Sequence, residues 1–259
     1  MTSSRAVTVV VPCFNEAARI VPSTFVAMTS VPNVSVLFVD DGSTDGTAQL
    51  LESATRGVGS VSVLRLEQNR GKGEAVRAGI LDATERGAEV VGYLDADGAT
   101  PPDEWLRLVN VLEATPGVDA VLGSRVAMLG YDIQRRRARH YSGRVFATLA
   151  AVALGRPVYD TQCGAKVFLV TPRLLTALSE PFRTRWVFDV ELLQRLLAPQ
   201  SAELPSPPAE VIEEPLRSWV DRPGSKLSLA QTSRSVLDVV GLIRVRRRLA
   251  SDAIRRAHG

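Results

Sequence analysis

The sequence predicts an α/β fold: a parallel sheet wound with helices, followed by a helical C-terminal appendage. Three observations predict it. Apolar, β-branched runs of five to seven residues alternate with helix-length segments through the first hundred positions. Four successive runs end in polar, ligand-type residues: Pro12 to Glu16, Asp40-Asp41, Asn69 to Gly73 and Asp95 to Asp97. A shared active edge at the strands' carboxyl ends explains that coincidence. Finally, a chain of 259 residues, 45% hydrophobic and 23% charged, has an ordinary globular composition. It is long enough for one large domain, or for one domain and an appendage.

The elements follow in order. Residues 6–11 read as a buried strand that Pro12 stops, and Asn15-Glu16 as the opening of a helix reaching about residue 28. Residues 34–40 are the second strand, and Thr44 stands where it can cap the next helix. Residues 61–66 are the third strand, and residues 71–85 a helix with Val76, Ile80 and Leu81 on one face. The fully apolar run 90–94 is the fourth strand. Beyond Pro101-Pro102 lie a helix at 103–114, a short strand at 120–123 delivering Ser124-Arg125, and an apolar helix at 141–154. Residues 160–166 form a polar turn before a strand at 167–170, and Arg185 to Glu191 lead into a helix ending near Leu197. A proline- and serine-rich connection at 199–208 precedes an edge strand at 210–220, a loop at 222–226 and a last helix at 229–256. The domain boundary is expected at 227, with residues 228–259 forming a basic amphipathic helix.

Several classes of function are excluded. Two cysteines, Cys13 and Cys163, provide neither a disulfide framework nor metal-ligand spacing, and fit a reducing compartment. No signal peptide is visible, and no run approaches the roughly 20 apolar residues of a membrane span. Gly71-Lys72-Gly73 is not a phosphate-binding P-loop, because Leu66 stands where that motif needs glycine and Gly73 where it needs Ser or Thr. With two histidines, His140 and His258, a histidine-rich metal site is ruled out. The net charge of +3 is uneven, with arginines clustered at 135–144 and 244–256. No interleaving of aromatic and basic residues supports a base-stacking surface, so nucleic acid is not expected.

The stretch around Asp95 and Asp97 is the most informative. Two carboxylates spaced i, i+2 at a strand end repel each other unless a cation lies near them. Oxygen ligands that leave room for water and phosphate suit Mg²⁺ or Mn²⁺.

Four segments, Val9-Val-Val-Pro-Cys-Phe-Asn-Glu16, Val39-Asp-Asp-Gly-Ser-Thr-Asp45, Asn69-Arg-Gly-Lys-Gly73 and Asp95-Ala-Asp97, resemble the GT-A family 2 glycosyltransferases. Asp97-Gly-Ala-Thr100, Gly123-Ser-Arg125, Asp160-Thr-Gln-Cys-Gly164 with Lys166 and Phe168, Arg185 to Glu191 and Gly224-Ser-Lys226 narrow the resemblance. They are similar to dolichyl-phosphate β-glucosyltransferases and their bacterial polyprenyl-phosphate relatives. The resemblance implies a Rossmann-like, nucleotide-sugar-binding half with a mixed sheet, and a donor pocket lined by Pro12, Asn15 and Glu16. In such an enzyme Asp40 and Asp41 suit hydrogen bonds to base and ribose. Lys72 can approach a phosphate or the base, and Asp95 and Asp97 would hold the metal bridging the diphosphate. A lipid phosphate acceptor is largely anionic at pH 7 and needs cations rather than a strong base. The resemblance gives that role to Arg125 and Arg139, and Arg222 and Lys226 lie in the loop expected to close on the site. For a hydroxyl acceptor, Asp189 would instead be the catalytic base.

The expected activity is metal-dependent, inverting transfer of a hexose, glucose first, from a UDP-sugar to a polyprenyl phosphate. The alternatives are the same donor with a soluble hydroxyl acceptor, as in a secondary-metabolite or capsule pathway, and a nucleotide-sugar binder without turnover. The chain is expected in the cytoplasm, peripheral at the inner face of the cell membrane through helices with one basic and one apolar face. The other fates for those apolar faces are the domain core and a second subunit, the latter making a homo-oligomer.

Overall fold

Strand β1 (Val7–Cys13) pairs in parallel with β2 (Val34–Asp40) on one side and with β4 (Val90–Leu94) on the other. Strand β3 (Val61–Arg65) adds a parallel edge beyond β2. In this computed structural model, residues 4–134, 137–198, 208–222 and 238–244 are described, and of 137–145 the backbone alone. The helices of this half are α1 (Pro22–Val26) with a 3-10 turn (Ala27–Ser30), α2 (Thr47–Thr55) and α3 (Lys72–Glu85).

The strand–helix alternation of the first half is therefore as expected, but its joints differ. Strand β1 runs through Pro12 to Cys13. The Asp41 amide donates to the Cys13 carbonyl at 2.8 Å, so Cys13 faces β2. Neighbouring main-chain groups alternate, which turns the Pro12 nitrogen toward β4, where pairing has already ended at Val10. A missing N–H costs nothing there. Asn15 does not open a helix: its φ is 50°. The amides of Asn15, Glu16 and Ala17 donate to Ser43 Oγ, Thr47 Oγ1 and Asp45 Oδ2. Those bonds lace the two loops together, and the helix waits for Pro22 at its first turn. Nor does Thr44 cap α2; the N-cap is Gly46, in the left-handed region, while Asp45 accepts from the Thr47 amide at 3.0 Å.

The second half contains α4 (Pro102–Ala114), β5 (Ala120–Ser124), β6 (Asp132–Gln134), α5 (Arg137–Leu154) and β7 (Ala165–Leu169). It continues with α6 (Pro172–Leu178), α7 (Phe188–Leu197), β8 (Val211–Pro215) and β9 (Ser218–Val220). Strand β7 enters antiparallel between β4 and β5, giving a seven-stranded mixed sheet in the order β3-β2-β1-β4-β7-β5-β8. Helix α6, capped by Thr171 accepting from the Leu174 amide, has no counterpart among the expected elements. The expected single edge strand at 210–220 is two strands. The Leu216 amide bonds to Ser124 and the Arg217 amide to Glu104 Oε2, which turns the chain so that β9 leaves the sheet and pairs with β6.

Alternation along the strands sorts the core onto two faces. Val7, Val9, Val11, Val36 and Phe38 pack with Phe25, Leu51 and Trp105. Val10, Leu37, Val39, Val91 and Tyr93 pack with residues of α3, α5, α6 and α7. Helix α3 lies very close on this second face, since a Cβ at Gly79 would fall 2.5 Å from Val10 Cγ1. Residues 238–244 are helical and dock there too: Val239 and Leu242 are buried, Ile243 packs alongside, and Gln194 Nε2 donates to the Leu242 carbonyl. The described part of the last helix thus turns apolar residues onto the domain. Among the described residues, no helix is long and apolar enough to cross a membrane.

Candidate active site

Parallel β1, β2, β3 and β4 end on the same edge of the sheet, so the four polar strand ends meet there. Asp40 and Asp41, at the end of β2, are both buried. Asp41 is used to build the neighbouring loop: its carboxylate accepts from the amides of Arg70 and Gly71, each at 2.8 Å, and from Asn69 Nδ2 at 2.9 Å. Burial nevertheless keeps its carboxyl above the usual carboxylate range, against the lowering effect of those amides and of Arg185. Asn15 Oδ1 accepts from the Thr44 amide, and Glu16 pairs with Arg19. The polar residues at the ends of β1 and β2 are thus tied into the neighbouring loops.

Lys72, on the first turn of α3, places Nζ 2.6 Å from Asp95 Oδ1. The same ammonium lies 5.7 Å from the centre of the Tyr93 ring and 5.9 Å from that of Phe188. Burial pulls its pKa down, but Asp95, Asp189 and Asp97 outweigh that, and Lys72 is held above its ordinary value. Asp97 reaches solvent at the rim and accepts from the Ala99 amide. The desolvating walls around it first, and the Asp95 carboxylate second, hold its carboxyl above the usual range. A cation beside Asp95 and Asp97 relieves this, and Lys72 already supplies one. The pair of carboxylates therefore fits a divalent metal, in which oxygen ligands are completed by water and diphosphate. Among the described residues no cluster of three such ligands exists, so Asp95 and Asp97 leave most of a coordination sphere open.

Asp189 does not lie open on the rim. It is 4% exposed, and its Oδ1 receives the Tyr93 hydroxyl and Lys166 Nζ, the latter at 2.7 Å. Lys166, also buried, donates in addition to the Cys163 carbonyl. Burial and the adjacent Asp189 carboxylate raise the Tyr93 phenol well above its ordinary value. Arg125 is clamped by Asp160, with Nε at 2.6 Å and a terminal nitrogen at 2.7 Å, and its guanidinium lies 5.4 Å from the Trp219 ring. Glu213 in turn accepts from the amides of Tyr159 and Asp160. Of the remaining expected acceptor cations, Arg222 is exposed, Arg139 lies on α5 with only its backbone described, and Lys226 lies outside the described residues.

Four residues beside the site receive no individual role from the sequence, although Asp160, Gly164 and Lys166 stand in a segment that carries the resemblance. Tyr93 and Lys166 both interrupt apolar strands, and a buried hydroxyl or ammonium needs a partner, which is the signal that finds them. Asp160 announces itself less, as one acidic residue in a polar turn. Gly164 is the fourth: a Cβ there would fall 2.1 Å from Asp95 Oδ2. The bare glycine lets the Asp160–Gly164 loop lie directly against the Asp95 carboxylate.

Comparison with known proteins places this geometry. The model of the glycosyl transferase family 2 domain matches residues 8–172. A dolichyl-phosphate beta-glucosyltransferase of Trichomonas vaginalis is 30% identical over 246 residues, covering 90% of this chain and 69% of that protein. One from Dictyostelium discoideum is 31% identical over 259 residues, covering 92% of this chain and 73% of that protein. Among solved structures, glucosyl-3-phosphoglycerate synthase of Mycobacterium tuberculosis, in complex with Mn²⁺, UDP and glucosyl-3-phosphoglycerate, superimposes with a TM-score of 0.65. It is 22% identical, and the match covers 94% of this chain and 80% of that one, so the likeness is one of GT-A fold.

Proposed function

The chain belongs to glycosyl transferase family 2, and from that membership we propose that it moves a hexose, glucose first, from a UDP-sugar to a polyprenyl phosphate of the dolichyl type. That it is a glycosyltransferase follows from the family and its relatives; the donor, the acceptor and the metal are the proposal. The observation that carries the donor side is the Asp95-Ala-Asp97 turn with Lys72 on Asp95 at 2.6 Å. A cation is already needed there, and two carboxylates leave the rest of a coordination sphere to a diphosphate. Asp95 and Asp97 would hold Mg²⁺ or Mn²⁺, which when bound neutralises charge developing on the leaving nucleoside diphosphate. Mn²⁺ accompanies UDP in the solved neighbour. Pro12, Asn15, Glu16, Asp40, Asp41 and Lys72 surround the donor in this reading, and Arg125, Arg139, Arg222 and Lys226 serve the acceptor phosphate. The glucosyl and dolichyl-phosphate assignments are supported by relatives that align with nearly the whole chain.

The test is incubation with a panel of labelled nucleotide sugars and a short polyprenyl phosphate, counting the organic phase. UDP-glucose is expected to give the highest counts, and UDP to raise the melting temperature more than GDP through preferential binding to the folded state. A larger shift with GDP, together with counts from GDP-mannose, would replace the donor.

A lipid acceptor brings the protein to a membrane surface at the cytoplasmic face. Helix α5 and residues 238–244 turn Ala150, Ala153, Val239 and Leu242 into the core, so the attraction rests mainly on the arginines around them. Each basic residue near an anionic surface contributes about 1 kcal/mol. Co-sedimentation with anionic vesicles is expected at low salt and should weaken at high salt. Absence of binding at low salt would remove the membrane from the reading.

A further inference from the structure

Glu213 stands on the edge strand β8, where a solvated surface carboxylate is the ordinary case. Its neighbour Glu214 faces the other side of the sheet and pairs with Arg107 at 2.5 Å. Glu213 turns instead to the main chain. Its Oε2 accepts from the Tyr159 amide at 2.7 Å and its Oε1 from the Asp160 amide at 2.8 Å. Two consecutive amides on the two oxygens of one carboxylate fix both the position and the tilt of the peptide between them.

What those bonds hold in place is Asp160. Its carboxylate takes three bonds from Arg125: Oδ2 accepts from the backbone amide at 3.1 Å and from Nε at 2.6 Å, and Oδ1 from Nη2 at 2.7 Å. A fork on Nε and Nη2 fixes the plane of the guanidinium and turns Nη1 away from Asp160. Trp219 lies against the same guanidinium, its ring centre 5.4 Å away. The Arg125 side chain keeps 17% exposure and Asp160 only 6%, so the arginine is the member of the pair that an anion can reach. The sheet places it at the active edge. Strands β4 and β5 run parallel on either side of antiparallel β7, and the Asp95 amide donates to the Gly164 carbonyl at 2.9 Å. The Leu122↔Lys166 pairing, carried two residues further, sets Ser124 opposite Gly164 from the other side. Arg125 therefore leaves the sheet at the same edge as Asp95, with β7 between them.

We propose that Glu213 is a positioning residue for the acceptor phosphate, holding Asp160 so that Arg125 stays aimed at the anion. This rests on the reading above in which Arg125 meets that phosphate. A free arginine loses much rotamer freedom when it binds, whereas a guanidinium already set by a fork loses little. With the bonds from Glu213 weakened, the peptide before Asp160 shifts and the fork shifts with it. The charge of Arg125 remains, but its direction does not. The loss then falls on acceptor recognition and spares donor binding at Asp95 and Asp97.

The test uses two variants. Glu213→Gln keeps the shape but faces one amide with an NH₂ group, and Glu213→Asp keeps the charge but falls one methylene short. Initial rates are taken with a short polyprenyl phosphate, Mn²⁺ and the nucleotide sugar that labels the organic phase most strongly, UDP-glucose on the reading above. UDP affinity by calorimetry and melting temperature are recorded beside them. Both variants are expected to raise the KM for polyprenyl phosphate about 10-fold, with UDP affinity as in the wild type. In an Arg125→Lys background no fork remains to be aimed, so Glu213→Gln should add no more than about 2-fold. Glu214→Gln is the control: it breaks the Arg107 pair on the opposite face and should lower the melting temperature without changing that KM. A wild-type KM in both Glu213 variants overturns the positioning role. Additive losses in the double variant overturn it as well, since a general loosening of the fold does not act through Arg125. An Arg125→Lys variant whose KM for polyprenyl phosphate is unchanged overturns the acceptor reading itself, a different result from Glu213 variants that match the wild type.

Discussion

Asp97→Asn is expected to lower turnover by about 10²–10⁴-fold, because the charge stabilisation supplied by a metal amounts to several kcal/mol and each 1.4 kcal/mol is a factor of ten. The loss should come through the metal. Asp97 and Asp95 are the only pair of carboxylates that the described strand ends offer in this i, i+2 arrangement, and among the described residues no third ligand joins them. Mg²⁺ or Mn²⁺ titrated into the protein alone should therefore bind weakly, and tightly once UDP is present. Equal, tight binding in both titrations would sink the assignment, as would wild-type activity in Asp97→Asn. Acid should act in the same direction. The Asp97 carboxyl is held above the usual carboxylate range by desolvation and by Asp95, so a falling pH protonates it before an ordinary aspartate and the metal must compete with that proton. Gly164→Ala should reach the same phenotype by another route. Its backbone is not left-handed, so alanine is conformationally acceptable, but the new Cβ would sit 2.1 Å from Asp95 Oδ2 and displace the carboxylate. The fold should survive and UDP-dependent metal binding should not.

The architecture around this site was legible where the signal was periodic. The runs at 34–40 and 90–94 became β2 and β4 at those bounds, because a buried parallel strand is apolar on both faces and ends where its polar groups meet the crevice. The joints were not legible. Asn15-Glu16 has the composition of a helix start, yet its amides are claimed by Ser43, Thr47 and Asp45 from a loop about thirty residues away, and nothing local announces that. The resemblance implied a mixed sheet, but which strand reverses, and the division of 210–220 into two strands, are decided by partners distant in sequence, Gly164 against Asp95 and Glu104 against Arg217. The site residues show the same division. Asp95, Asp97 and Lys72 could be named from a turn and a glycine-flanked loop, whereas the surroundings of Asp189 depend on Tyr93 and Lys166 arriving from two other strands.

Those surroundings change how the acceptor can be identified. Asp189→Asn alone is expected to destabilise the fold by about 3–5 kcal/mol, because it leaves the buried Lys166 ammonium without its carboxylate. Lost activity in that variant would say nothing about a base. Lys166→Met/Asp189→Asn removes both charges together, and replacing a buried pair by uncharged groups is often close to neutral. With a phosphate acceptor no proton has to be removed, so this double variant should fold, bind UDP and retain most of its transfer. Arg139→Ala and Lys226→Ala should each lose about 10- to 100-fold, since an anionic nucleophile would forfeit charge-assisted hydrogen bonds of about 1.5–3 kcal/mol. With a hydroxyl acceptor the order reverses. The double variant would then lose the general base, which costs about 10²–10⁴-fold, while Arg139→Ala would stay near wild type. All rates are compared at one donor concentration and saturating metal, with donor hydrolysis showing that the donor site is intact and a melting curve showing that the chain is folded. A folded double variant that hydrolyses the donor normally but transfers hundreds of times more slowly, beside a near-normal Arg139→Ala, would overturn the lipid phosphate acceptor.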